Sequence, residues 1–210
     1  MKVRQKYVNL MAELMNSMTL GEILRSNYAG VGDESIALLQ ECARLRRVKR
    51  REYIVRQDVR ADCIYFISEG LFRGMRVIDG VEDTLFFGMA GDPFTSAHSL
   101  AHGEAAQISM QAIVDSQVYE VPFDDFRRLL AERRDLMAWW SAVLLEQVYA
   151  LERRYVAIGT SNAEQRYETL LRIRSEIIRH IPLKYIAQYL NVTPETLSRI
   201  RRRIVRRVGR

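Results

Sequence analysis

The chain has 210 residues, of which 48% are hydrophobic and 28% are charged, so it has the composition of a folded water-soluble protein and not of a disordered chain or a fibre. A chain of this length has room for two domains with separate cores. No run of about 18 uncharged apolar residues occurs, and the N-terminus lacks the apolar core of a signal peptide, so we expect a cytoplasmic protein without membrane contact.

The net charge of +6 is concentrated near the C-terminus. Residues 161–210 contain 12 Lys or Arg and 4 acidic residues, whereas residues 1–160 contain 20 and 22. This asymmetry favours a C-terminal part that touches a polyanion, either nucleic acid or an anionic membrane surface. The two cysteines, Cys42 and Cys63, are far apart in sequence, which predicts neither a disulfide framework nor an iron–sulfur cluster.

The first half of the chain changes from a helical to a strand-like pattern. Residues 3–28 and 33–46 are predicted to be helical, with Asp33 as the N-cap of the second helix. From Val48 to Pro122, short runs rich in Tyr, Ile, Val and Phe alternate with turn signals, which predicts an antiparallel β-roll or sandwich. The predicted strands cover residues 63–68, 71–78, 84–89, 108–114 and 117–121, with hairpin turns at Glu69-Gly70 and Asp79-Gly80.

A helical pattern follows Pro122 and continues to about Ile158, where Gly159 is predicted to end it. Within it, apolar residues recur at alternating spacings of 4 and 3, the a and d positions of a coiled coil. The sequence therefore predicts a homodimer whose seam is formed by Leu144, Val148, Leu151, Tyr155 and Ile158. The alternative is that the stripe packs on its own β-domain, and we expect this of the first turns, where Trp139 and Val143 widen the apolar face.

A second domain is predicted to begin where Ser161 and Glu164 have the spacing of a capping box. Residues 182–190 have the apolar spacing of a short amphipathic helix. Asn191 tolerates the left-handed backbone of a tight turn, and Thr193 is suited to cap a second helix. Helix, turn and helix in this order predict a helix-turn-helix.

The second helix of this motif has one apolar face and one basic face. Bases would be read from its N-terminal half, where Arg199 can pair with guanine O6 and N7, and Glu195 can accept from the cytosine amino group. The residues predicted to read bases are Glu195, Ser198, Arg199 and Arg202. Those predicted to touch phosphates are Lys184, Thr196, Arg201 and Arg203.

Two other interpretations of the basic C-terminus compete with DNA binding. A charge run is often only a solvated tail, but the helix, turn and cap that precede this one disfavour that interpretation. A helix on a membrane surface would need a wider hydrophobic face with aromatic residues. The sequence therefore favours double-stranded DNA as the partner.

A β-roll, a long dimerisation helix and a helix-turn-helix in this order resemble the CRP/FNR family of bacterial transcription regulators over essentially the whole chain. The local match is strongest over residues 186–200, where Glu195 and Arg199 fall on the base-reading positions of the family's Arg-Glu-Thr-Val-x-Arg pattern. Pro194 replaces the first Arg of that pattern, so the resemblance implies a different target site. Residues 65–70 are similar to the strand and turn that enter the family's roll.

Residues 91–118 are similar to the ligand cassette of that family. In its cyclic-nucleotide binders the cassette brings a Gly-Glu pair to the ribose and an Arg to the cyclic phosphate, whereas here the pair is Gly91-Asp92 and the Arg position falls near Ala106-Gln107. No Arg occurs between Arg76 and Arg127, so a buried phosphate would lack its charge partner and we expect no cyclic AMP binding in the usual manner. The effector residues that the resemblance implies are Gly91, Asp92, Phe94 and Gln107.

His98 and His102 have the spacing of two helical ligands to a metal or to haem. Nothing completes a metal set, and surface histidines are commoner, so no metal site is predicted. Haem, another small molecule or no ligand stay open as effectors. No Ser-His-Asp set, phosphate loop or metal-hydrolase spacing occurs, so we expect no enzyme.

The predicted fold class is α+β, with an N-terminal antiparallel β-roll of cupin or jelly-roll type, flanking helices, a long dimerisation helix and a C-terminal winged-helix type helix-turn-helix. The predicted domains are residues 1–134 for effector sensing, 135–159 for dimerisation and 160–210 for DNA binding. The leading hypothesis is a homodimeric regulator on a palindromic operator, with RNA polymerase as a further candidate partner. The alternative is an effector-independent DNA-binding protein whose β-roll serves assembly only.

Overall fold

The computed structural model describes residues 17–178 and 180–208, so the first part of the predicted helix over residues 3–28 lies outside the described residues. The described helices are α1 Leu20–Asn27, α2 Asp33–Cys42, α3 Ala97–His102, α4 Phe123–Glu132, α5 Arg134–Thr160, α6 Ala163–Ile178, α7 Leu183–Tyr189 and α8 Pro194–Val208. The described strands are β1 Arg44–Val48, β2 Tyr53–Val55, β3 Cys63–Glu69, β4 Leu71–Ile78, β5 Val81–Met89, β6 Pro93–Phe94, β7 Ser109–Ala112 and β8 Ser116–Pro122.

The strands form two four-stranded antiparallel sheets around one core. Sheet A has the order β1-β8-β3-β6, and sheet B has the order β2-β7-β4-β5. Side chains from both sheets, among them Phe66 of β3 and Phe72 of β4, are fully buried in the same apolar cluster. The predicted α+β class with an antiparallel β-roll is therefore confirmed.

One of the two predicted hairpin turns is wrong. Asp79 and Gly80 both have positive φ values, 51° and 77°, and they join β4 to β5 in a tight hairpin as predicted. Glu69-Gly70 instead carries the chain from sheet A to sheet B, so β3 and β4 are not partners. Gly70 has a φ of 103°, and a Cβ at this position would lie 2.1 Å from Ser116 Oγ. The crossing between the sheets therefore requires glycine.

The predicted helix over residues 33–46 ends early, at Cys42. Residues Arg44–Val48 form β1 instead, the edge strand of sheet A, which pairs antiparallel with β8. Because β8 is more than 60 residues away along the chain, its pairing energy is not visible in the local helical pattern. Gly32 is the N-cap of α2 and Asp33 its first residue, so the predicted cap is displaced by one position.

The predicted single helix after Pro122 consists of two helices, α4 and α5, which separate at Arg133. Residue 133 has extended backbone angles, with φ −120° and ψ 108°, so the helical hydrogen-bond ladder cannot pass through it. α5 then runs for 27 residues through Gly159 to Thr160, so the predicted end at Gly159 is also wrong.

α6 begins with a capping box that is shifted by one residue from the prediction. Asn162 Oδ1 accepts from Gln165 N at 3.0 Å, and Gln165 Oε1 accepts from Asn162 N at 2.9 Å. Ser161 is instead the C-cap of α5, and Glu164 pairs with Arg203 of α8 at 2.7 Å. The two candidate pairs have the same spacing, so the local pattern alone does not distinguish them.

The three C-terminal helices α6, α7 and α8 share a second core. Leu71 and Ile113 of the β-roll belong to this same cluster, so the C-terminal domain rests directly on the roll. After Thr160, the described residues contain helices and turns but no strand. The wing of the predicted winged helix is therefore not found among the described residues.

Candidate nucleic-acid interface

The helix-turn-helix predicted from the sequence is formed by α7 and α8. Ile186, Ala187 and Leu190 are buried at the end of α7, where a small residue lets α8 cross closely. Asn191 has a φ of 54°, the left-handed conformation expected of the turn. Val192 N then donates to Ala187 O at 3.0 Å, which closes the turn and sets the direction of α8.

The N-terminus of α8 is capped as predicted. Thr193 Oγ1 accepts from Thr196 N at 3.2 Å, and Pro194 is the first helical residue. Hydrogen bonds to its own backbone N–H and to the Thr193 hydroxyl lower the pKa of Glu195. The Glu195 side chain is therefore held as an ionised acceptor at the positive end of the helix dipole.

The predicted base-reading residues lie on the solvent side of α8. Leu197 and Ile200 are buried on the opposite side, and Glu195, Arg199 and Arg202 are exposed, with Ser198 half-buried. Arg199 Nη2 donates to Thr196 Oγ1 at 3.1 Å. Within the described part of the chain the ion pairs of α8 involve only Arg203 and Arg207, so the guanidinium charges of Arg199 and Arg202 face solvent.

The predicted phosphate-contacting residues have more varied surroundings. Arg203 pairs with Glu164 of α6, Lys184 Nζ lies 3.9 Å from Glu82 Oε2 of β5, and Arg201 is exposed. Thr196 is half-buried and bonded within the N-terminal turn of α8. Arg203 therefore fixes α8 to α6 in this structure, a role that its sequence position did not indicate.

α5 leaves the roll after its first turns. Leu136, Trp139 and Val143 are buried, and the Trp139 and Phe66 ring centroids are 5.7 Å apart, as expected for packing on the roll. From Leu144 onwards the helix is exposed except at Arg154 and Ala157, which are half-buried. The predicted seam residues Leu144, Val148, Leu151, Tyr155 and Ile158 are exposed by 45%, 60%, 67%, 81% and 62%.

The exposed apolar surface of α5 is wider than the predicted seam. Leu145, Tyr149 and Val156 are also more than half exposed, and sequence reasoning missed them. They flank the a and d positions, so a search of the neighbouring heptad positions would have found them. Such a contiguous apolar surface is the signature of an interaction face.

α7 fixes the helix-turn-helix to the outer face of sheet B. Gln188 Nε2 donates to Glu82 O at 2.9 Å, and Thr84 Oγ1 donates to Gln188 Oε1 at 2.8 Å. Tyr189 packs on Phe87 of β5, with ring centroids 5.5 Å apart. Sequence reasoning missed these residues because each contact spans about 100 residues of chain.

A buried arginine lies at the centre of this contact. Arg73 of β4 is only 2% exposed, and its guanidinium carbon lies 3.8 Å from the Tyr185 ring centroid of α7. Arg73 Nη2 donates to Gln111 Oε1 at 2.7 Å and to Glu82 Oε2 at 3.1 Å. The contact between the domains therefore contains a desolvated cation with an acidic, an amide and an aromatic partner.

The four predicted effector residues occupy different surroundings. Gly91 has a φ of 95°, and Asp92 Oδ2 accepts from Met89 N at 2.9 Å, so this pair builds the turn between β5 and β6. Phe94 lies 5.7 Å from Phe86, centroid to centroid, while Gln107 is exposed. The effector pocket stays a prediction.

The two candidate ligand histidines lie on the short helix α3. Their ring centroids are 6.1 Å apart, and His98 Nδ1 lies 3.3 Å from Glu104 Oε2. No group of three or more metal-binding side chains occurs in the described ranges.

The two cysteines are partly buried. Burial raises the pKa of Cys63 to about 12 and also raises the pKa of Cys42, so both thiols stay protonated.

No helix among the described residues has the length and apolarity that a membrane span needs. The cyclic nucleotide-binding domain family matches residues 45–133, which contain the β-roll and helix α4. No curated protein matches the sequence.

Solved structures with the same fold cover most of the chain. FixK2 from Bradyrhizobium japonicum is 22% identical with a TM-score of 0.67, over 79% of this chain and 85% of that one. A CooA mutant from Carboxydothermus hydrogenoformans is 16% identical with a TM-score of 0.67, over 81% and 79%. The c-di-GMP responsive global regulator CLP from Xanthomonas campestris is 13% identical with a TM-score of 0.68, over 82% and 91%. Residues 45–133 are therefore similar to the cyclic nucleotide-binding domain family, and the chain has the fold of the CRP/FNR regulators.

Proposed function

We propose that the protein is a sequence-specific DNA-binding transcription regulator that acts as a homodimer on a palindromic operator. The observation that carries the proposal is α8, a capped helix that buries Leu197 and Ile200 and leaves Glu195 and Arg199 in solvent. A helix of this kind, set at its N-terminus by a tight turn, is suited to enter the major groove of DNA. Arg199 would read a guanine, and Glu195 would accept from a cytosine or orient Arg199.

The dimer is proposed from the exposed face of α5. Two copies of Leu144, Val148 and Leu151 can meet across a two-fold axis and remove each other's apolar surface from water. The two-fold axis would present two α8 helices to half-sites about one DNA turn apart. Residues 1–134, 135–159 and 160–210 would then sense, dimerise and bind DNA.

The relatives support a regulator and leave the effector open. CLP is a c-di-GMP responsive regulator of gene expression, and the shared fold supports a regulatory role for this chain. The ligand cassette between Arg76 and Arg127 contains no Arg, and Ala106 is buried near the position of the family's phosphate-binding Arg. We therefore expect no cyclic AMP binding in the usual manner; haem or another small molecule stays open as an effector. We expect a cytoplasmic protein without catalytic activity, for which RNA polymerase is a candidate partner.

The direct test of this function is selection from a random pool of DNA duplexes by the purified protein. We expect the retained sequences to share an inverted repeat with half-sites about one helical turn apart. Retention that depends on salt but enriches no sequence would contradict the proposal, because phosphate contacts alone carry no sequence information.

The second candidate is an effector-independent DNA-binding protein whose roll serves assembly only. The exposed position of Gln107 and the use of Asp92 in a turn favour it over a cyclic-nucleotide sensor. A small molecule that changes the affinity for the selected duplex would count against it, since an effector must bind two arrangements of the dimer unequally.

A further inference from the structure

Two cations of α8 lie on the side of the helix that faces α6, and both are paired there. Arg203 Nη1 donates to Glu164 Oε2 at 2.7 Å, and Arg207 Nη1 lies 3.7 Å from Glu164 Oε1. Arg207 also pairs with Glu168 of α6. Among the described residues, Glu164 is the only carboxylate that pairs with two arginines of α8.

Glu164 is much less exposed than its two partners. Its side chain is 18% exposed, whereas those of Arg203 and Arg207 are 71% and 61% exposed. It lies in the first turn of α6, where the helix dipole favours a carboxylate. The same turn is bonded to the helix-turn-helix a second time, because Arg166 Nη2 donates to Leu190 O at 3.0 Å. The start of α6 therefore holds both the turn of the motif and α8.

Arg203 lies close to the surface of α8 that is proposed to meet DNA. It follows Arg199 by four residues, so the two side chains leave the helix in directions only about 40° apart. Phosphates line both edges of a groove that holds such a helix. Arg203 is therefore placed beside the edge of the groove, but its guanidinium group is bound to Glu164 and is not free for a phosphate.

We propose that Glu164 is a specificity-determining residue that holds α8 at a fixed angle on α6 and withholds Arg203 from the DNA phosphates. This inference rests on the proposed function. A cation that contacts phosphates adds affinity for every sequence alike, so it favours binding to unrelated DNA as much as to the selected site. The ion pair with Glu164 removes that contribution, and the carboxylate itself repels phosphates. Glu164 therefore lowers non-specific affinity while it keeps the helix that carries Arg199 in place.

The test compares affinities for two duplexes of equal length, one with the selected site and one with the same base pairs in scrambled order. Glu164→Gln removes the carboxylate and keeps the size of the side chain. Glu41→Gln of α2 is the matched control, because Glu41 is exposed and forms no ion pair within the described part of the chain. A double variant, Glu164→Gln with Arg203→Gln, tests whether the effect depends on Arg203.

We expect Glu164→Gln to bind the scrambled duplex roughly eightfold more tightly than wild-type protein does at 0.1 M salt, because the freed Arg203 contacts one more phosphate. The slope of log affinity against log salt should steepen by about 0.9. Affinity for the selected site should rise less, since α8 is no longer held at its angle, so the ratio of the two affinities should fall. The double variant should keep the wild-type salt slope, and Glu41→Gln should match wild-type protein on both duplexes.

Three results would overturn the proposal. Weaker binding of Glu164→Gln to both duplexes, with an unchanged salt slope, would make Glu164 a support of the fold only. Equal gains in Glu164→Gln and Glu41→Gln would assign the effect to net charge and not to the ion pair. Wild-type protein that enriches no site from the random pool would contradict the proposed function, and this inference with it, before any variant is measured.

Discussion

Replacing Leu151 with glutamate is expected to make the protein monomeric and to weaken its binding to an inverted-repeat duplex by a factor on the order of 10² to 10⁴. Leu151 is 67% exposed in the single chain and lies at a d position of the seam. In a two-fold dimer the substitution would place two carboxylates opposite each other in an apolar interface. Each would lose hydration without gaining a cation, so the helices would separate.

The size of the effect follows from the geometry of two linked binding events. When one α8 helix is bound, the second reaches its half-site at a high effective concentration, and a monomer loses this advantage without losing any contact to the first half-site. We therefore expect affinity for a single half-site to be unchanged. Light scattering after size exclusion gives the mass, and fluorescence anisotropy gives both affinities.

Ala150→Glu is the matched control, because it adds the same charge one residue earlier, outside the predicted seam. It should remain dimeric and bind the inverted repeat as wild-type protein does. A Leu151→Glu protein that stays dimeric would show that copies associate through another surface. Equal dissociation in both variants would assign the effect to the charge of α5 and not to the seam.

Replacing Gln188 with alanine is expected to loosen the docking of the helix-turn-helix on sheet B. The side chain accepts from Thr84 Oγ1, which is fully buried, and donates to Glu82 O. Alanine would leave both groups without their partner, at a cost of about 1 to 3 kcal/mol. The docked state should become less stable by that amount, while the cores of the two domains stay intact.

Amide hydrogen exchange measures this loss locally. Exchange should accelerate in β5 and α7 of the Gln188→Ala variant, by a factor on the order of 10 to 100, which corresponds to the cost stated above. Lys184→Gln is the control from the same helix, because the Lys184 side chain is 64% exposed and its Nζ lies 3.9 Å from Glu82 Oε2, so the substitution should change stability by less than about 1 kcal/mol. Similar exchange in both variants would show that the Gln188 hydrogen bonds do not hold the domains together.

The helix-turn-helix could be predicted from the sequence because its signals are local. The left-handed turn at Asn191 and the cap at Thr193 each involve partners within about five residues, and both occur in the structure as predicted. The exposed apolar stripe of α5 could be predicted for the same reason, because it depends only on the spacing of residues within one helix. The predicted roles of these residues in DNA binding and dimerisation stay predictions.

The errors occurred where distant pairing decides the structure. Residues 44–48 have a helical pattern but form a strand because β8 offers a hydrogen-bonding partner. Glu69-Gly70 has the composition of a hairpin turn but connects two sheets, and Gly70 is required there because Ser116 of another strand leaves no room for a Cβ. The docking of α7 on Arg73 and Glu82 could not be predicted for the same reason.

The central claim is that Arg199 reads a base, and its most direct test uses single base-pair changes in the selected site. Affinities of wild-type protein, Arg199→Ala and the exposed control Arg201→Ala are measured for every change within one half-site. We predict that one G·C pair costs wild-type protein about 1 to 3 kcal/mol when it is replaced, and that Arg199→Ala binds both versions equally while it keeps its preferences at the other pairs. Arg201→Ala should weaken all duplexes alike. Arg199→Ala protein that keeps every preference and is weakened uniformly would contradict the claim, because Arg199 would then contact only phosphates.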